Sequence, residues 1–258
     1  MYCPDAEHYG YSNHDQGSFA SHTVIQEMFL VVIPDAISME NAGPFMCGGS
    51  TVFEPLWRYG VQAMDRVGIV GIGGLGHLAI QFAAKMGCEV VVFSGSEDKR
   101  EEAMQLGATE FYSMKGKQAG EVNIGKPIKY LLLCSSAQPD WSMYVFSPSS
   151  QLSEMALTLL NCRYLPFLAP HCTIFPLTVD GENPVNIALG PLNLRPIRIQ
   201  GSAVASRTSI VKMLDFAARN NIMPIIQKYR MTVEGIEEAL DVIQAGKMRY
   251  RGVLEAQD

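Results

Sequence analysis

The spacing of apolar positions changes several times along the chain, and each change marks an element. Residues 66–70 (RVGIV) are apolar without alternation after the first position, the pattern of a short strand buried on both faces. Gly71-Ile72-Gly73-Gly74-Leu75-Gly76 follows as a glycine turn. The spacing then switches to threes and fours: Leu75, Leu78, Ala79, Phe82, Ala83 and Met86 share one helix face, and Gly87 ends the helix. Residues 89–94 (EVVVFS) return to an unbroken buried strand. Strand, helix and strand in this order predict a right-handed parallel crossover.

The alternation continues. A helix is predicted near 97–106, ended by Gly107, and strands over 129–134, 172–177 and 197–201. A helix over 207–220 places Ile210, Val211, Leu214, Ala217 and Ala218 on one face and ends at Asn220-Asn221, with Pro224 beyond. Another over 233–245 turns Val233, Ile236, Leu240 and Ile243 inward. Thr232 is its N-cap, and Glu234, Glu237 and Glu238 favour its positive end. Before the crossover, the first twenty residues read as irregular loop. Residues 22–33 favour β structure up to Pro34-Asp35, and 39–60 predict short helices. The whole reads as α/β, a doubly wound parallel sheet.

Composition narrows the function classes. The 258 residues carry a net charge of −6, with 48% hydrophobic and 18% charged positions, as expected of a globular protein. The acidic balance argues against nucleic acid as a partner. No apolar run is long enough to span a bilayer, and residues 1–5 open no signal peptide, so a cytoplasmic location without membrane partners is expected. Six scattered cysteines, none in a Cys-x-x-Cys pair, are expected to be reduced thiols. No hydrolase elbow surrounds any serine.

Gly71-x-Gly73-x-x-Gly76 meets the requirements of a dinucleotide fingerprint because it follows a strand and opens a helix. The first glycine allows the tight turn, the second a close approach of the pyrophosphate, and the third close helix–strand packing. Gly74 and Leu75 complete the loop at the positive helix end. An NAD site usually has an acid at the end of the second strand. That position is Ser94, with Ser96 and the cations Lys99 and Arg100 close behind, a set suited to the 2′-phosphate of NADP. Glu97 and Asp98 count against that reading. Ser135-Ser136 and Gly201-Ser202 follow strands and so are candidates for the cofactor cleft. Ser206-Arg207 fits either a cofactor contact or a helix start. Arg249 and Arg251 read as flanking a terminal strand.

The stretch from Gly71 to Gly107 resembles the zinc-dependent medium-chain alcohol dehydrogenases, in the cinnamyl-alcohol-dehydrogenase-like, NADP-preferring branch. Cys47-Gly48-Gly49-Ser50-Thr51, Gly201-Ser202 with Ser206-Arg207, and Lys247-Met248-Arg249-Tyr250-Arg251 support it, so the resemblance covers nearly the whole chain. It implies a Rossmann domain over roughly 46–222, with remnants of a GroES-like catalytic domain at 1–45 and 223–258. It also implies hydride exchange between the nicotinamide and a small alcohol or aldehyde, and a possible homodimer through the Rossmann domain.

The same resemblance assigns Cys47 to one catalytic zinc ligand, Thr51 to a cofactor-contacting hydroxyl, and Cys3 to the remnant of a structural zinc site. The other two catalytic ligands, a cysteine and a Gly-His-Glu histidine, have no counterpart, while catalytic zinc takes three protein ligands. His8, His14, His22, His77 and His171 match no ligand position, and each is expected to be a surface or satisfied polar group. No catalytic set is therefore intact, and zinc is not expected to be held. The chain reads as starting inside the structural lobe. Residues 144–163 interrupt the family pattern in frame, with Tyr144 prefiguring Tyr164. The stretch reads as a retained intron or as a surface loop, since long insertions cost little closure entropy. The expectation is an NADP(H)-dependent alcohol/aldehyde oxidoreductase. Its rivals are an NADP(H)-binding protein without dehydrogenase activity and a truncated gene product whose stretches 22–33 and 233–254 lack apolar cover.

Overall fold

A computed structural model describes residues 5, 7, 13–15, 17–20, 22–117, 121–135, 164–178 and 189–256. Two helices lead into the sheet. α1 (Met39–Pro44) and α2 (Ser50–Arg58) are joined by one π turn, Phe45–Gly49, that carries Cys47. The elements β1 (Arg66–Val70), α3 (Gly76–Lys85), β2 (Glu89–Ser94), α4 (Arg100–Gln105), β3 (Glu110–Ser113), β4 (Ile128–Leu133), β5 (Leu168–Pro176), α5 (Leu189–Leu194) and β6 (Arg198–Ile199) follow. The six strands form one parallel sheet in the order β3-β2-β1-β4-β5-β6, the doubly wound order.

Both sheet faces are covered, which explains the unbroken apolar runs. Along β2, Val90 and Val92 join one core with Leu78, Phe82, Phe53 and Leu214, while Val91 and Phe93 join the other with Phe167, Leu131 and Ile174. The short strand β3 has no counterpart in the sequence reading. It is held where Arg66 pairs with Glu89 and, at 2.8 Å, with Glu110, and donates to Ile124 O at 2.7 Å.

α6 (Arg207–Asn220) packs on α2, and Asn221 leaves it in the left-handed region at φ 51°. Its buried face is Ser209, Met213, Leu214 and Ala217, while the expected Val211 is exposed. The chain then forms a second parallel pair, β7 (Ile226–Arg230) with β8 (Arg251–Glu255), bridged by α7 (Val233–Gln244). Thr232 caps α7 as expected, its hydroxyl accepting from the Gly235 N–H at 3.2 Å. The expected inner face is rotated: Gly235 and Ala239 are buried, whereas Val233, Leu240 and Ile243 are exposed. Close approach to β7 favours the small residues, since a Cβ on Gly235 would lie 2.2 Å from Arg230 O.

Residues 22–33 form no strand. Only a single 3-10 turn, Glu27–Phe29, interrupts an irregular path, and Val24, Phe29 and Val32 are exposed. β propensity needs a neighbouring strand to satisfy the backbone, and none of the described strands pairs with this stretch. Cys3, Ser136 and residues 144–163 lie outside the described residues. No helix among the described residues is long and apolar enough to cross a membrane.

Candidate cofactor-binding site

The glycine turn sits at the carboxyl end of β1, between β2 and β4, where the strand order reverses. Gly71 adopts φ 91°, a conformation that favours glycine, and a Cβ there would strike Ser135. A Cβ on Gly76 would lie 1.8 Å from Gly71 O, so the first turn of α3 closes directly on the loop. Gly73 has open space around its Cα. Two glycines therefore serve packing, and the middle one faces room for a ligand.

That room is a cleft of about 810 Å³. It is lined by Gly71, Gly73, Gly74, Leu75, Ser94, Ser96, Lys99 and Ser135, which were read from the sequence, and by Cys134, Tyr250 and Arg251, which were not. Gly76 supports the cleft from behind. Thr51 is buried in α2, and neither it nor Gly201 nor Ser202 lines the cleft. Cys47 is exposed on its π turn and does not line it either.

At the β2 end, Ser94 Oγ accepts from the Ser96 N–H at 3.2 Å. The acids that weighed against a phosphate are engaged locally. Asp98 accepts from Ser96 Oγ at 2.9 Å, and Glu97 pairs with Arg100, whose hydrogen bond holds the Glu97 carboxyl below its ordinary range. The Lys99 ammonium donates to Ile72 O at 2.7 Å and lies 5.0 Å from the centre of the Tyr250 ring. Burial, followed by the Arg249 charge, lowers its pKa. Glu102 holds this wall from below, accepting from Arg249 at 2.7 Å and from the Tyr250 hydroxyl. Cys134 is the thiol of the cleft, and burial pushes it up to about 12, so it stays protonated.

Arg251 is the group the sequence reading missed. Its Nε donates to Gly74 O at 3.0 Å. A Cβ on Gly74 would fall 2.7 Å from Arg251 Nε, and one on Gly48 would fall 2.6 Å from an Arg251 Nη. Two glycines from different elements thus make room for one guanidinium beside the loop. No local signal marks this, because Arg251 comes from β8 and meets the loop only in the fold.

His77 is wholly buried, as a satisfied polar group. The Ile225 N–H donates to its Nε2 at 3.1 Å, so Nδ1 carries the proton and donates to Gly73 O at 2.8 Å. Burial lowers its pKa to about 4, and the ring stays neutral near pH 7.

A profile described as zinc-binding dehydrogenase matches residues 74–147. An aldehyde reductase AdhA of Synechocystis is 32% identical over 92% of this chain and 64% of its own length. An NADP-dependent alcohol dehydrogenase C 1 of Mycolicibacterium smegmatis is 27% identical over 93% of this chain and 62% of its own. A solved cinnamyl alcohol dehydrogenase of Sorghum bicolor superposes with a TM-score of 0.68 at 25% identity, covering 89% of this chain and 59% of that one. The chain spans less than two thirds of the length of these relatives. Together with the glycine turn and the doubly wound order, these likenesses match the chain to the zinc-type medium-chain dehydrogenases, cinnamyl-alcohol-dehydrogenase-like members among them.

Proposed function

We infer that this chain binds NADP(H) in the cleft and that its ancestral chemistry is hydride exchange between an alcohol or aldehyde and the nicotinamide. One observation carries the reading: Gly73, with open space at its Cα, lines one cleft together with a guanidinium seated on Gly74 and a serine–lysine wall at Ser94, Ser96 and Lys99. The glycine turn and Arg251 suit a pyrophosphate, and the wall suits a 2′-phosphate. NADP(H), when bound, supplies the hydride-carrying ring. The chain's own residues bind and orient it. Gly73 leaves the backbone approachable, Lys99 and Arg251 neutralise phosphate charge, and Ser94 offers a hydroxyl in place of the acid that would repel a 2′-phosphate.

The donor set does not fit a catalytic zinc. Among the described residues no group of three or more His, Cys, Asp and Glu side chains converges. The second reading is an NADP(H)-binding protein without alcohol turnover, and it rests on the two catalytic zinc ligands that have no counterpart in the sequence. On either reading 46–222 is the cofactor domain, and a homodimer through that domain is part of the proposal.

Titration with NADPH and NADH under fluorescence, followed by zinc analysis and an alcohol oxidation assay, tests both readings. NADPH binding at least roughly tenfold tighter than NADH is expected, with the preference lost in Lys99→Ala. Equal affinity for the two cofactors overturns the NADP assignment, and binding of neither overturns the cofactor reading. Zinc retention with alcohol turnover favours the enzyme over the binding protein.

A further inference from the structure

The geometry points to His77 as a positioning residue for the cofactor: its neutral ring closes a circuit of hydrogen bonds that seats Arg251 on the glycine turn. The circuit can be followed atom by atom. Gly73 O accepts from His77 Nδ1 at 2.8 Å. His77 Nε2 accepts from the Ile225 N–H at 3.1 Å. Ile225 O accepts from the Tyr250 and Arg251 N–H groups, each at 3.3 Å. Arg251 Nε then donates to Gly74 O at 3.0 Å, one residue from the start. The His77 ring also stacks on Tyr250, with centroids 4.9 Å apart and an interplanar angle of 23°.

A fully buried imidazole with both nitrogens engaged has a single working tautomer, so neither bond is made without fixing the other. One turn along the same helix face, Gln81 doubles the attachment. Its amide donates to Met223 O at 2.8 Å and accepts from the Met223 N–H at 3.2 Å. The Gly73 carbonyl is held toward His77 and also accepts from the His77 N–H at 3.2 Å. Across a trans peptide this turns the Gly74 N–H the opposite way. His77 thereby sets both the direction of a loop amide and the seat of the arginine, without lining the cleft itself.

This role rests on the reading that the cleft takes NADP(H), and its test separates the two. NADPH dissociation constants are measured for wild type, His77→Leu, Arg251→Gln and the double variant. Amide hydrogen exchange is followed in each unliganded protein. His77→Leu is expected to weaken NADPH roughly tenfold, and the double variant to bind no worse than Arg251→Gln alone, because both act through one seat. Exchange at Ile225, Tyr250 and Arg251 is expected to quicken while that of β1 and β2 stays slow. A merely structural histidine would slacken the strands as well, and its loss would add to that of Arg251. Wild-type affinity in a folded His77→Leu protein, additive losses, or unchanged exchange at those three amides overturns the role and leaves the cofactor reading intact. A wild type that binds no NADPH overturns both. Should His77→Leu not fold, His77→Asn, which retains an amide donor for Gly73, carries the same measurements.

Discussion

Three glycines of one motif divide into two physical jobs. Gly76→Ala forces a methyl group against the Gly71 carbonyl, a backbone atom with no side chain to swing aside, and is expected to cost about 3 kcal/mol or more in urea unfolding. Gly73→Ala meets no protein atom, so the melting temperature should hold while NADPH affinity falls, as the methyl takes up cleft space. Both effects are read by pairing a melt with a cofactor titration. His77 gives a pH signature. The unfolded chain takes up a proton near pH 6.5 and the folded one only near 4, so stability is complete above 6.5 and declines as the pH falls from there toward 4. The expected loss is about 3 kcal/mol, measured as the difference between wild-type and His77→Leu unfolding across that window.

Among the elements, α7 depends on its cap. Thr232→Ala removes the hydroxyl that receives the Gly235 N–H and is expected to lower stability by about 1 kcal/mol, visible as a shifted denaturation midpoint. Elements buried on both sides were the most legible in the sequence. β1 and β2 match residue for residue because residues 67–70 and 90–93 have no solvent face to break the run. β3 was not legible, being four residues with a charged start and only one buried position, at the sheet edge. The stretch 22–33 misled for the opposite reason: its residues have strand propensity, but propensity is realised only beside a partner. In α7 the apolar spacing was read correctly and the face was not, since close packing against β7 selects Gly235 and Ala239 over larger neighbours. The glycine turn and the serine–lysine wall were visible because each is local in sequence. Arg251 and the Ile225 partner of His77 were invisible because they act across 177 and 148 residues of chain.

At the scale of the whole molecule, the described surface is uneven. Val24 and Val32 are more than nine-tenths exposed, and Met28, Phe29 and Leu30 lie between them at half or more. Such a contiguous apolar stretch binds other apolar surfaces. The protein is expected to take up an apolar dye and to self-associate as its concentration rises. Light scattering on the triple variant Val24→Ser, Phe29→Ser, Val32→Ser should show less association, with NADPH affinity unchanged because none of the three lines the cleft. The proposed cofactor binding and the surface behaviour are in this sense separable.

The circuit through His77 also carries a temporal consequence. Its partners are spread along the chain from Gly73 to Arg251, and Arg251 meets Gly74 across 177 residues. During synthesis at about 5–20 residues per second, the six strands of the main sheet leave the ribosome well before Ile225 and Arg251 do. The nascent protein thus holds a glycine turn whose arginine has not yet been made. On the proposed reading that the cleft takes NADP(H), the cofactor meets its full seat only after Arg251 has been made.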